Sequence, residues 1–419
     1  MTLRETVRRD GLRIITCAIP TQRMVLVSLS ALVGSAYDPE DRQGLFHYFE
    51  HMAFKGTETR TVKDIYAFTE RNLLSTNAST YRDRTEYYGL AVHTKLDRAC
   101  DIIADIYAHS TFPATEIKKE KGPVLLEAAR NKDDDGYFAG LVLRGLLYEK
   151  NPFRQFTTGT PEGIARISRK DLLREKARWY VPSNTIALAV GRVSHDAFVK
   201  EISARIPIDH TKAPKVAWDP EFSLPPRRPE EIVFRQDRSK STIVMGCKVP
   251  DRVSDRADDA EDFMSALLVS GWSSRLWNEV REARGLAYAA SGGVSRAVGI
   301  GAYFSAFVQT SPGKEALVAR LMRKVLFTPI TQRDRAIFEA TREAVNDAIT
   351  VGYGENLDAW ASLIYDTIER GEPLSRVKRH FENERRIVNS LTLRDAETMR
   401  RELIRPERFA TVMVRPNVK

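Results

Sequence analysis

The residues of this chain best suited to chemistry are His47, Glu50 and His51, in the run His47-Tyr48-Phe49-Glu50-His51. On a helix these three stand at i, i+3 and i+4 and share one face. Leu45, Phe46, Phe49, Met52 and Ala53 form an apolar stripe on the opposite face. Such a helix packs by its stripe and turns two imidazoles and a carboxylate away from it. Two histidines one turn apart can hold one Zn2+, and the glutamate between them can act as base on a metal-bound water. The order is the inverse of HExxH and is itself a zinc-peptidase motif. The blander reading, a surface helix with two unrelated histidines, needs a chance HxxEH in a chain with only seven His. One Zn2+ per chain is therefore the expected cofactor.

A catalytic zinc takes three protein ligands plus water. The stretch from Glu116 to Glu127 offers the third. Glu120 and Glu127 are seven apart, two turns along one helical face. Pro123 between them predicts a kink or the first turn of a new helix. Taken singly, each glutamate reads as part of a solvated helix face.

The elements that must position these residues recur in two halves. The first has an apolar strand, Met24 to Val33, an acidic turn, and the helix ending at Gly56; the second has a strand, Thr242 to Val249, an acidic turn, and DAEDFMSALLVSG ending at Gly271. Both close alike, with Asp171 or Asp395 followed at the same distance by Pro182 or Pro406 and a terminal strand. A repeat this long means a duplicated domain rather than a solenoid. Matching Gly56 to Gly271 puts Asp262, Ser265 and Ala266 where the first half has His47, Glu50 and His51, so the chemistry is confined to the first copy. The stretch from Pro207 to Pro229 holds six prolines and no periodicity, which reads as a stiff linker. The expected division is a zinc-binding catalytic half at 1–206, a linker at 207–232, and a metal-free half at 233–419. Strands in neighbouring runs, mixed with long amphipathic helices such as Leu96 to His109, predict an α+β fold, each half an antiparallel sheet covered by helices on one side.

Composition narrows the classes. At 419 residues, with 42% hydrophobic and 29% charged, the chain has the balance of a globular protein with at least two domains. No apolar run reaches the roughly 20 residues of a membrane span. The net charge of +9 comes from Lys and Arg spread along the whole chain, so neither a nucleic-acid nor a membrane partner is expected. Cys17, Cys100 and Cys247 are scattered and odd in number, which argues against a disulfide framework and for a reducing compartment. The first residues carry no signal-peptide core and no transit segment. The expected location is the cytoplasm.

On these residues the sequence resembles the pitrilysin/insulinase family of zinc peptidases, nearest its short members akin to mitochondrial processing peptidase. GLFHYFEHMAFKGTETRT looks like that family's active-site helix, and 75 residues separate His51 from Glu127, with Glu120 ahead at the family's E-x6-E spacing. RDGLRIITCAIP and WYVPSNTIALAVG resemble its first strand pair and the strand ending its first domain. The resemblance implies that Glu127 is the third metal ligand, that Glu120 is a catalytic or supporting helper, and that the halves form a clamshell. Asn77-Ala78-Ser79-Thr80 is similar to the family's NAxT edge strand, which implies peptide pairing along Asn77 and Ala78. Where the family often has paired glycines before that strand, this chain has Leu73-Leu74. Arg281 and Tyr288 resemble the family's R-x6-Y pair; Tyr288 would donate to the oxyanion and Arg281 would hold a substrate carbonyl. The implied function is a zinc metalloendopeptidase for extended peptides or precursor peptides, with Glu50 as base, working as a homodimer or beside a related chain. The rival is a non-catalytic or partner subunit of a heterodimeric processing peptidase.

Overall fold

The computed structural model describes residues 1–219, 230–235, 238–250 and 255–417. Two compact units emerge. The first comprises Met1–Asn131, Gln155–Ala217 and Glu355–Leu374; the second comprises Lys132–Arg154, Trp218–Gly354 and Ser375–Lys419.

The first unit is built on six strands: β1 (Thr2–Val7), β2 (Arg13–Ala18), β3 (Met24–Ala31), β4 (Ser75–Thr80), β5 (Thr85–Val92) and β6 (Thr185–Gly191). Their order is β1-β2-β6-β3-β5-β4, antiparallel except for the β2–β6 pair. Alternate residues of β3 point to opposite faces. Val25, Val27, Leu29 and Ala31 join one core with Phe46, Phe49, Ile102, Ile103 and Ile106. Those partners come from α1 (Leu45–Ala53) and α3 (Leu96–Ala108), with α2 (Val62–Asn72) between them in sequence. The other face is buried too: Leu26, Ser28, Ile186, Leu188 and Val190 are at most 3% exposed. The helix Leu357–Glu369 packs there against β3 and β6. Its Tyr365 hydroxyl meets the Ser28 and Ser30 hydroxyls at 2.7 and 2.8 Å, and its Glu369 pairs with Arg84.

The second unit has five strands: β7 (Glu230–Arg235), β8 (Ser241–Lys248), β9 (Ala287–Ala297), β10 (Gly301–Thr310) and β11 (Ala410–Pro416). Their order, β7-β11-β8-β10-β9 with β7–β11 parallel, repeats that of β2-β6-β3-β5-β4 strand for strand. The duplication read from the sequence is thus written in the topology. Ile243, Met245 and Cys247 face a core with Phe263, Met264, Met322 and Met399. Across the sheet lies a helix from far earlier in the chain. It belongs to a pair: α4 (Ala114–Asp133) packs Ile117, Val124 and Ala128 into the first unit's core, and α5 (Asp135–Leu147) packs on β8 and β11. Gly246 lets α5 approach, since a Cβ there would sit 2.8 Å from Leu143 Cδ2.

The α+β class with two sheet-and-helix layers is the one expected. Three details differ. The sheets are mixed, with one parallel pair each. Helices cover the second face of each sheet as well. The units also depart from a division at 1–206 and 233–419, because 132–154 and 355–374 are exchanged between them. Of the linker expected at 207–232, residues 207–219 form no helix or strand, 230–232 open β7, and 220–229 lie outside the described residues. No helix among the described residues is long and apolar enough to cross a membrane.

Candidate active site

The site is built on α1, and its local order starts with Asp38. The Asp38 carboxylate accepts the backbone N–H groups of Gly44 (2.7 Å) and Phe46 (3.0 Å), which open the helix without an internal partner. Gly44 holds a left-handed conformation, φ 95°, that few other residues adopt. On the packed side, the Phe49 ring stacks on Tyr180 at 4.3 Å and meets Phe112 edge-on at 4.8 Å. The Tyr48 hydroxyl donates to the Ile117 carbonyl at 2.6 Å and ties α1 to α4. Helix α4 runs on through Pro123, so no new helix starts there and Glu120 and Glu127 share one helix.

This pairing brings the polar residues together. His47 Nε2 lies 3.4 Å from Glu127 Oε1, and His51 Nε2 lies 3.3 Å from Glu127 Oε2. His51 Nδ1 lies 3.0 Å from Glu120 Oε1, whose other oxygen is 2.7 Å from Lys55 Nζ. The Thr80 hydroxyl donates to Glu50 Oε2 at 2.5 Å. His47, Glu50, His51, Lys55, Glu120 and Glu127 line a cavity of about 470 Å3, together with Phe54, Tyr66, Thr76, Asn77 and Ala78. Strand β4, which carries Asn77 and Ala78, is the sheet's edge and pairs with β5 on one side.

Electrostatics follow the contacts. Burial pushes the His51 pKa down, but Glu120, Glu127 and the Glu50 charge outweigh it and raise it to about 9. Contacts with His47 and His51 hold the Glu127 carboxyl far below the usual carboxylate range. Burial opposes ionisation of Glu120, yet contacts with His51 and Lys55 keep it below its ordinary value.

The donor set fits a zinc ion. One ligand atom each from His47, His51 and Glu127 lie within 4.8 Å of one another. Two imidazoles and a carboxylate beside an open cavity are a catalytic zinc set. In the neutral ring, a proton on Nδ1 directed at Glu120 leaves Nε2 a lone pair for a metal. His47 Nδ1 is buried without a hydrogen-bond partner among the described residues, so packing and whatever its Nε2 meets orient that ring.

Arg281 and Tyr288 belong to the second unit. Arg281 donates to the Ala287 carbonyl at 2.5 Å and closes its own turn. Tyr288, at the start of β9, is 54% exposed, with its hydroxyl 3.2 Å from Ser311 Oγ and Lys240 Nζ 5.0 Å from its ring. Sequence reasoning passed over Asp38, Lys55 and Thr80. Thr80 lies in the quoted NAxT segment, which was a usable signal; Lys55 and Asp38 had none beyond their nearness to the motif.

Fold and site together have the make-up of an inverted-motif metallopeptidase. Residues 13–149 match the family described as Insulinase (Peptidase family M16), and residues 166–342 match the Peptidase M16 inactive domain. The chain belongs to the M16 peptidase family. A relative from Rickettsia bellii, named an uncharacterized zinc protease, is 29% identical over 281 residues, 67% of each chain. YmxG of Bacillus subtilis, also named a zinc protease, is 28% identical over the same length and share. One from Mycobacterium tuberculosis is 25% identical over 428 residues, 99% of this chain and 93% of its own. Among solved structures, a peptidase M16 inactive domain from Pseudomonas fluorescens superposes with a TM-score of 0.85 at 20% identity, covering 100% of this chain and 98% of that one. A protease from Helicobacter pylori gives 0.85 at 19% identity, covering 99% of both. These two share the fold.

Proposed function

We propose that this chain is a zinc metalloendopeptidase that hydrolyses extended peptides, with His47, His51 and Glu127 as ligands and Glu50 as general base. The carrying observation is that both imidazole Nε2 atoms converge on the two oxygens of Glu127 in a cavity that also holds Glu50. Zinc bound there supplies a Lewis acid for a peptide carbonyl and lowers the pKa of water. Glu50 is not part of the ligand cluster. Thr80 occupies one Glu50 oxygen, leaving the other to take the water proton and pass it to the leaving amine. The edge strand β4 offers free backbone groups along the cavity, which suits an extended peptide added as a further strand. Family resemblance gives Tyr288 the role of oxyanion donor and Arg281 that of holding a substrate carbonyl, with N–H groups left over after Ala287.

Glu50→Gln keeps size and is expected to keep zinc while turnover falls at least about 10²-fold. In the same peptide assay Tyr288→Phe lowers kcat and leaves zinc content alone. Near-normal turnover in Glu50→Gln would remove Glu50 from the mechanism. A wild-type chain that holds zinc yet cleaves nothing alone would favour the partner-subunit reading.

A further inference from the structure

Three contacts run in series through His51. Lys55 Nζ meets Glu120 Oε2 at 2.7 Å, Glu120 Oε1 meets His51 Nδ1 at 3.0 Å, and His51 Nε2 meets Glu127 Oε2 at 3.3 Å. Lys55 stands in the bend just past the end of α1, and its Nζ and the His51 ring both reach Glu120 on α4. The Lys55 and Glu120 side chains are 16% and 13% exposed, which leaves water little access to the contact. The terminal torsion of a glutamate is broad, so one hydrogen bond does not fix the carboxylate plane. A donor on the second oxygen does. Held at both oxygens, Glu120 keeps Oε1 where His51 Nδ1–H must point, and the ring then directs its Nε2 lone pair at the ligand cluster. Among the described residues His47 has no equivalent support, since its Nδ1 lacks a hydrogen-bond partner there. Imidazole orientation at the site therefore depends heavily on the His51 side.

We propose that Lys55 is a positioning residue for the metal site, acting on His51 through Glu120. This rests on the zinc reading above. Lys55 itself is no ligand; it completes a carboxylate–histidine pair of the kind that tunes metal affinity. Because Lys55 also lines the cavity, a competing role is capture of an acidic group on the substrate. The two differ in what they move. Positioning changes zinc affinity in the absence of any peptide; substrate capture changes only KM.

The test is zinc affinity of the full chain by chelator competition, in wild type, Lys55→Met, Lys55→Arg, Glu120→Gln, the Lys55→Met/Glu120→Gln double variant and His47→Ala/His51→Ala. Lys55→Met is expected to weaken zinc about 10-fold. Lys55→Arg, which keeps the charge and a donor, restores most of that loss and shows that the fold is not at issue. The double variant falls little below Glu120→Gln alone, because both substitutions break one relay. Wild-type zinc affinity in Lys55→Met, with His47→Ala/His51→Ala much weaker, overturns the role of Lys55 and leaves the metal site standing. Full additivity with Glu120→Gln overturns the relay. Equal, weak zinc binding in wild type and His47→Ala/His51→Ala overturns the zinc reading and this role with it.

Discussion

His51 is the residue where proton and metal compete. In the metal-free protein burial lowers its pKa, but Glu120, Glu127 and Glu50 raise it to about 9. A ligating imidazole must be neutral. Below that pH zinc has to displace one proton from His51, so apparent affinity falls about tenfold per pH unit between about pH 9 and 7. The metal-free protein changes in the opposite sense. Its folded-state value lies above the ordinary 6.5, so the stability this proton contributes is complete below about pH 6.5 and is lost as pH rises through about 9. Zinc-loaded protein has no such proton to lose. Chelator competition across this range, with melting curves with and without zinc, checks both signs; pH-independent zinc affinity from about pH 7 to 9 would discard the assignment. The histidines and Glu50 were legible because helical spacing alone puts them on one face. Glu120 and Glu127 needed the family resemblance to be told apart, since either could reach the metal by spacing. Lys55 was not legible as a site residue, because it acts on Glu120, which another element carries; Thr80 stood inside the NAxT segment, but its contact with Glu50 joins β4 to α1 and needed the fold.

Two elements, α1 and α4, set the site, and the entry to α1 depends on close backbone approach. Gly44 combines φ 95° with a crowded position: a Cβ there would lie 2.8 Å from the Thr158 carbonyl oxygen and 3.0 Å from Gly159 Cα. Gly44→Ala therefore carries left-handed strain and a backbone clash together, and displaces the N–H that Asp38 holds. The expected cost is about 2–3 kcal/mol in denaturant titration, with reduced zinc occupancy because α1 carries both histidines. Gly145→Ala on α5, where nothing lies within 4 Å of the new Cβ, should instead be neutral or stabilise by about 0.5–1 kcal/mol. Equal effects at the two positions would remove the argument for a strained entry to α1. The sequence offered a kink or a new helix at Pro123, and α4 continues through it as one helix. Gly122 helps explain why: a proline clashes with the N–H and the Cβ of the residue before it, and glycine removes the Cβ part of that clash.

The whole molecule is organised by exchange. The helix Leu357–Glu369 completes the first sheet, and α5 completes the second, so neither half of the chain covers its own sheet on both faces. The near-continuous apolar runs of β3 and β6 fit cover on two sides, where the sequence reading expected it on one. They could not say where the cover came from, because an apolar helix records that it is buried and not against which strand. The exchange decides how the chain behaves when cut. Leu357, Trp360, Leu363, Ile364, Tyr365 and Ile368 are all buried. At about 1.5–3 kcal/mol each, their removal is comparable with the roughly 5–15 kcal/mol that keeps a domain folded. Residues 1–206 expressed alone lose that cover from Leu26, Ser28, Ile186, Leu188 and Val190, and carry α5 without the sheet it packs on. This fragment is expected to aggregate or to melt without cooperativity. Adding 355–374 through a flexible linker should raise its soluble fraction, and co-expression with 207–419 should recover a soluble pair that binds zinc, since each piece then supplies the helix the other lacks. Size-exclusion chromatography and thermal melts of the three preparations decide the matter. If 1–206 alone is monomeric, melts cooperatively and is unchanged by the added helix, the halves are self-contained, and the exchanged helices are decoration rather than structure.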